Sequence, residues 1–278
     1  MKTTQELSDI ASQVRRDIVR MVTAAKSGHP GGSLSSTDIL VTLFFNEMKH
    51  DPATWTRDAK GQDAFIPSAG HLAPVYYAVL ARAGYFDPAK LGTLRKFGSD
   101  LQGHPTVGHV KGIFQPSGSL GQGLAAAAGI AKGKKLQGQS ERAFALLGDG
   151  ESEEGEIWES AMWAAHHKLD NLVAMTDWNG QQIDGPTTSV TAVEDLHAKW
   201  EAFGWQVIVA DGHDFDSIKD AFVQAREQNG KPKMILFRTE MGHGVDFMAG
   251  THKWHGKAPN AEQCEAALAQ LKETLGDY

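Results

Sequence analysis

The stretch Ala143-Phe144-Ala145-Leu146-Leu147-Gly148-Asp149-Gly150 decides how the rest of the chain is read. Its first five residues are apolar and stopped by glycine, the mark of a short buried strand. Gly148 and Gly150 allow a sharp turn and a close approach of ligand to backbone amides, with Asp149 held between them at the carboxyl end of the strand. Ser152 to Lys168 then carries helical signals: acids in the first turn, and Ile157, Trp158, Met162, Ala165 and Leu169 behind them. A second apolar run, Leu172-Val173-Ala174-Met175-Thr176, leads into Asp177-Trp178-Asn179-Gly180-Gln181. Strand, helix and strand form a right-handed crossover, so both strand ends open on one crevice.

The donors at that crevice suit one kind of ligand. Magnesium takes hard oxygen ligands in an octahedron and shares them with phosphates. Asp149 offers a carboxylate, Asn179 an amide oxygen and Gln181 a backbone carbonyl, while the amide of Gly150, opening a helix, faces a phosphate oxygen. Asp149 and Asn179 stand 30 residues apart (179 − 149), the length one crossover needs. Gly-Asp-Gly alone also fits a plain turn; Asn-Gly after the next strand favours the metal-diphosphate reading.

Gly148-Asp149-Gly150, some thirty residues, then Asn179 resembles the diphosphate motif of thiamine diphosphate enzymes. The surrounding sequence is similar to the amino-terminal domain of transketolases over nearly the whole chain. The resemblance is carried in order by Ser27-Gly28-His29-Pro30-Gly31, Ser68-Ala69-Gly70-His71, Gly103-His104-Pro105, Gly118-Ser119-Leu120-Gly121-Gln122-Gly123, the metal motif, and Gly250-Thr251-His252-Lys253-Trp254-His255-Gly256. It implies an α/β, three-layer α/β/α thiamine-diphosphate-binding fold with a mostly parallel central sheet. The cofactors it implies are thiamine diphosphate and Mg2+, with Ca2+ or Mn2+ able to substitute.

Composition agrees with one large α/β domain over residues 1–278. Lys plus Arg number 27 against 34 Asp plus Glu, for a net charge of −7. With no basic stripe, nucleic acid is not expected as a partner. The single cysteine, Cys264, suits a reducing cytoplasm, and no run approaches the roughly eighteen apolar residues of a membrane span. Periodicity predicts helices at 5–26, from about 35 through 44, at 73–83, 119–133, 193–203 and 215–227, and a closing helix over 258–278. Strands are predicted at 63–67, 205–210 and 234–239, with loop from 98 to 115.

Six of the twelve histidines follow a glycine: His29, His71, His104, His109, His213 and His243. A turn can display an imidazole beside a ligand. The resemblance places His71 and His252 near the diphosphate, and His29, His104 and His252 along the channel for sugar hydroxyls and carbonyl, where neutral imidazoles exchange protons. His255 is a weaker candidate; His109, His166, His167, His197 and His213 are read as structural or solvated. Gly118 and Leu120 correspond to contacts with the aminopyrimidine and thiazolium, with Ser119 where the family usually has proline, and Met241 to an aliphatic cofactor contact. Glu154 and Glu159 lie in an acidic helix start, ordinarily a matter of the helix dipole; the resemblance assigns them to a carboxylate network between two active sites, with Glu154 among the cofactor-binding positions.

Thiamine diphosphate chemistry also needs a carboxylic acid against the aminopyrimidine, which transketolases supply from a second, pyrimidine-binding domain together with the basic residues that grip sugar phosphate. That half is not in this sequence. The expectation is therefore the amino-terminal subunit of a split transketolase, active only with a separate carboxy-terminal subunit in an α2β2 assembly, transferring a two-carbon ketol group between sugar phosphates. Alternatives are an enzyme of the 1-deoxyxylulose-5-phosphate synthase or 2-oxo-acid dehydrogenase type, and a non-catalytic nucleotide-binding or regulatory Rossmann-like protein. Against the last, Gly118 to Gly123 lacks a preceding strand and a following ribose-binding acid.

Overall fold

The structure is a computed structural model that describes residues 1–278 except 192 and 194. From the amino terminus come helices α1 (Thr4–Ala25), α2 (Pro30–Ser35) and α3 (Thr37–Thr42), followed by strand β1 (Ala64–Pro67) and helix α4 (Ala73–Arg82). Helix α5 (Gln122–Leu136), strand β2 (Ala143–Gly148), helix α6 (Gly155–His166) and strand β3 (Leu172–Trp178) make the central unit. After the short pair β4 (Gln181–Gln182) and β5 (Gly185–Pro186) come α7 (Thr187–Val190), α8 (Leu196–Ala202), β6 (Gln206–Asp211), α9 (Phe215–Ala225), β7 (Lys233–Arg238) and α10 (Ala261–Gln270).

The five long strands lie in the order β1-β2-β3-β7-β6, and every neighbouring pair is parallel. Alternation along each strand sends side chains to two separate cores. Phe65, Phe144, Leu146, Val173, Met175, Ile235 and Phe237 meet α1, α3, α4 and α9 on one face. Ile66, Ala143, Ala145, Leu147, Ala174, Met234 and Leu236 meet α5, α6 and α8 on the other. Small residues on that second face let the alanines of α5 lie close: Ala127, Ala128 and Ala131 are buried against Ala143 and Ala145. Fully burying each large side chain, such as Phe144 or Leu146, contributes about 1.5–3 kcal/mol.

Register sets the site. Gly148 pairs with Asp177 and Trp178 with Arg238, so β2, β3 and β7 end level with one another. Parallel strands place their carboxyl ends at one edge. The loops after β1 (Ser68 to His71), β2 (Asp149), β3 (Asn179) and β7 (Thr239 to Met241) therefore converge.

Two elements differ from the sequence expectation. The helix expected from about 35 through 44 is broken into α2, α3 and a wide turn of five-residue periodicity over Leu43–Glu47. The helix expected over 258–278 ends at Gln270. Arg16 donates to the carbonyls of Leu268 and Leu271 at 2.9 and 2.7 Å, which ties the last turn to α1. The remaining tail runs back along α1, where Asp277 pairs with Arg16 and Arg20 at 2.6 and 2.5 Å. The helix expected at 193–203 is α8, and residue 194 of that expectation lies outside the described residues. No helix among the described residues is long and apolar enough to cross a membrane.

Candidate active site

Asp149 and Asn179 do meet at the shared strand edge. Asp149 is 1% exposed and accepts the amides of Gly150 at 2.8 Å and Gly180 at 2.6 Å, which joins the loop after β2 to the loop after β3. The Gly150 amide expected toward a phosphate thus donates to Asp149 instead. Burial, and then the neighbouring Asp177 carboxylate, push the Asp149 acid up to about 7. No cationic side chain bonds to it among the described residues. A buried carboxylate held only by amides, beside a second carboxylate, is a pocket of uncompensated negative potential that suits a divalent cation.

Asp177 has another task. It accepts Ser35 Oγ at 2.5 Å, Ser36 Oγ at 2.9 Å, Asn179 Nδ2 at 3.1 Å and the Thr239 hydroxyl. By taking the amide nitrogen of Asn179, it fixes that side chain so that Oδ1 is the atom left for a ligand. In the structure Oδ1 accepts the Gln181 amide at 3.0 Å. Orientation of a ligating amide by a buried carboxylate is the support metal sites use. Asp149, Asn179 and the Gln181 backbone together form an all-oxygen donor set that fits Mg2+ and phosphate. Asp149, Asn179, Gln181, Met241 and Leu120 all line one cleft.

The histidines gather at the same cleft. Ring centroids of His29 lie 5.4 Å from His71, 6.0 Å from His104 and 5.7 Å from His255, and His71 lies 4.9 Å from His255. Burial lowers the pKa of His29 to about 4 and that of His71 to about 3, and it lowers His104 and His255 as well. These are neutral imidazoles at neutral pH. Nδ1 of His29 and Nδ1 of His255 are buried without a hydrogen-bond partner among the described residues, so each has a bond to give to or accept from a ligand. His252 opens a short 3-10 turn and makes no ring contact with the cluster among the described residues; His255, one turn on, does. His213 is committed elsewhere, with Nδ1 at 2.9 Å from Asp38 and Nε2 accepting the amide of Glu240.

Glycine makes the close packing of these loops possible. A Cβ on Gly70 would lie 2.5 Å from the nitrogen of Gly118, so the His71 loop and the Gly118 turn are in backbone contact. Gly118 itself sits at φ +146°, open to glycine and strained for other residues, with His104 alongside. Ser119 next to it is exposed. Gly31 performs the same service for Met241, which would meet an added Cβ at 2.9 Å. Glu154 and Glu159 stand exposed at the start and middle of α6, with Glu154 against the Gly121 turn.

Two residues have contacts that sequence reasoning assigns no role. Asp177 was visible as the strand-terminal acid two residues before Asn179. Glu151 was hidden among the first-turn acids; it is 3% exposed and bonded to three separate segments.

Known proteins resemble the chain over nearly its whole length. The family model described as transketolase, thiamine diphosphate binding domain, matches residues 7–277. The 6-deoxy-6-sulfo-D-fructose transketolase subunit SqwG of Clostridium sp. (strain MSTE9) is 40% identical over 270 residues, covering 96% of this chain and 97% of the relative. An apulose-4-phosphate transketolase subunit from Phocaeicola vulgatus is 38% identical over 261 residues, covering 94% and 92%. The crystal structure of a transketolase from Campylobacter jejuni superposes with a TM-score of 0.90 at 32% identity, covering 97% of this chain and 43% of that one.

Proposed function

The chain belongs to the family of transketolase thiamine diphosphate-binding domains, and from that premise we propose that residues 1–278 act as one domain, the amino-terminal subunit of a two-chain transketolase. A separate carboxy-terminal subunit would complete the site, and two copies of each chain would form an α2β2 assembly. The observation that carries the reading is Asp149, buried at the end of β2 with only amides bonded to it and facing Asn179 beside the histidine cluster. The two relatives that are named as subunits match this chain along nearly their whole length, which supports a partner supplied as another polypeptide. Names that describe ketol-transfer enzymes favour transketolase over the decarboxylating alternatives.

In this reading Asp149, Asn179 and the Gln181 carbonyl hold Mg2+, and the loops around Gly150 hold the diphosphate. Bound there, thiamine diphosphate would supply the thiazolium chemistry that two-carbon ketol transfer between a ketose and an aldose needs. The protein's part is proton exchange and orientation. His29, His104 and His255 are kept neutral by burial; a neutral imidazole can take a hydroxyl proton at one nitrogen and donate at the other. In this reading His255, whose ring joins the cluster, serves the channel position that the resemblance assigned to His252. His71, which lines the cleft with Asp149, serves the diphosphate side. Leu120 and Met241 provide apolar walls, Gly118 and Ser119 a backbone edge for the aminopyrimidine, and Glu154 a carboxylate at the rim. Glu154 and Glu159 lie toward the face of α5 and α6 where a second copy would pair and link the two sites. Phosphorylated sugars are the substrates, with the phosphate grip on the partner, and the assembly is cytoplasmic.

The test is ketol transfer from xylulose 5-phosphate to ribose 5-phosphate, with Mg2+ and thiamine diphosphate, by this chain alone and by the co-expressed pair. Activity in the pair only is expected. Turnover by the rigorously purified single chain would overturn the two-chain reading.

A further inference from the structure

Glu151 takes no part in the metal site, yet it is the most enclosed acid of the cleft after Asp149 and Asp177. Its Oε1 accepts the Ser68 hydroxyl and, at 2.8 Å, the amide of Gly121. Its Oε2 accepts the amide of Gly148 at 3.0 Å. The three donors lie on three different segments. Ser68 opens the loop that carries His71, Gly121 closes the turn that carries Gly118 and Leu120, and Gly148 ends β2 immediately before Asp149. All three partners donate, so the site asks for a group that accepts with both oxygens. A glutamine would keep the shape but turn an NH2 toward a donor.

We infer that Glu151 is a positioning residue that fixes the cofactor cradle before the cofactor arrives, by holding the histidine loop, the glycine turn and the metal loop in one arrangement. The inference rests on the thiamine diphosphate reading above and adds the group that pre-organises the site. Loops already ordered in the free protein do not charge their ordering to binding. The backbone contact of Gly70 with Gly118 requires the same alignment, and a Cβ on Gly123 would strike Ser68, so two glycines and one acid maintain the same junction.

The experiment compares wild type, Glu151→Gln and Ser68→Ala in the assembled two-chain protein. Calorimetric titration with thiamine diphosphate in excess Mg2+ gives affinity, thermal unfolding without cofactor gives stability, and amide exchange reports Gly121 and Gly148. Glu151→Gln is expected to weaken cofactor binding roughly 10- to 100-fold, with faster exchange at both glycines. Ser68→Ala, which removes one bond of the three, is expected to weaken binding less and in the same direction; it serves as the test if Glu151→Gln does not fold. Wild-type affinity in both variants overturns the inference, as does a lowered melting temperature with unchanged affinity. Failure of the wild-type assembly to bind the cofactor would instead overturn the thiamine diphosphate reading, and this inference with it.

Discussion

Replacing Gly70 by alanine puts the geometry of the cleft under a one-carbon test. The new Cβ would lie 2.5 Å from Gly118 N, 2.6 Å from the Ser117 carbonyl carbon and 2.8 Å from Gly118 Cα. All three are backbone atoms, so no side chain can swing away. Ordinary contact begins at 3.4 Å, and the His71 loop and the Gly118 turn must therefore part by about 0.9 Å (3.4 − 2.5). Overpacking of this kind costs about 1–3 kcal/mol. At about 2–4 °C per kcal/mol for a chain of this size, the cofactor-free melting temperature should fall by roughly 2–12 °C. A misplacement near 1 Å costs on the order of 100-fold in the rate of a positioned reaction, so ketol transfer by the assembled pair should drop by about that factor, and thiamine diphosphate affinity measured by titration in excess Mg2+ should fall with it. Gly133→Ala is the control. Gly133 lies within α5 with nothing within 4 Å of an added Cβ, and alanine there should stabilise by about 0.5–1 kcal/mol. Wild-type affinity and melting temperature in Gly70→Ala would refute the reasoning.

Asp149→Ala should abolish Mg2+-dependent cofactor binding while leaving the cofactor-free protein at least as stable at pH 7, because a buried acid that no cationic side chain offsets is removed. Since its acid is raised to about 7 in the folded chain, the folded state keeps a proton that the unfolded state gives up near pH 4. Wild-type stability without metal should then decline as pH rises from about 4 to 7, and Mg2+ binding near pH 7 should release a proton, visible as buffer-dependent heat in calorimetry. His255→Asn should lower ketol transfer by about 10²–10⁴, the ordinary contribution of a proton-transferring side chain, and His252→Asn by much less; equal losses in steady-state assays would contradict the placement of the two rings. Asp277 is held well below the usual carboxylate range, first by its hydrogen bond from Arg16 and then by Gln13 and Arg20. Its contribution is present above about pH 4 and lost as pH falls below it, so Asp277→Asn should cost about 1 kcal/mol in urea unfolding at pH 7 and far less at pH 2.

What was legible in the sequence was local. The apolar runs 143–147 and 172–176 announce strands buried on both faces, and their glycine stops fix where the acid and the amide appear, so the Asp149 and Asn179 pair could be found from spacing. Glu151 could not. Its partners Ser68 and Gly121 are 83 and 30 residues away, and among four neighbouring acids it carries no mark of its own. The two histidines of the 250–256 motif are three residues apart, and which of them faces the cluster depends on how Trp254, 7% exposed, is seated in the core. The end of the last helix is hidden in the sequence for a similar reason. Leu268, Leu271 and Leu275 continue a helical spacing, but Arg16 of α1 captures the carbonyls of the first two and ends the helix there.

The central claim is that this chain carries the metal-diphosphate half of a thiamine diphosphate site. The most direct measurement is calorimetric titration of the assembled protein with thiamine diphosphate, once in excess Mg2+ and once in excess chelator, for wild type and Asp149→Ala. Saturable binding is expected for wild type with metal, and none with chelator or in the variant. Equal binding in the presence of chelator, or an affinity untouched by loss of Asp149, would contradict the claim.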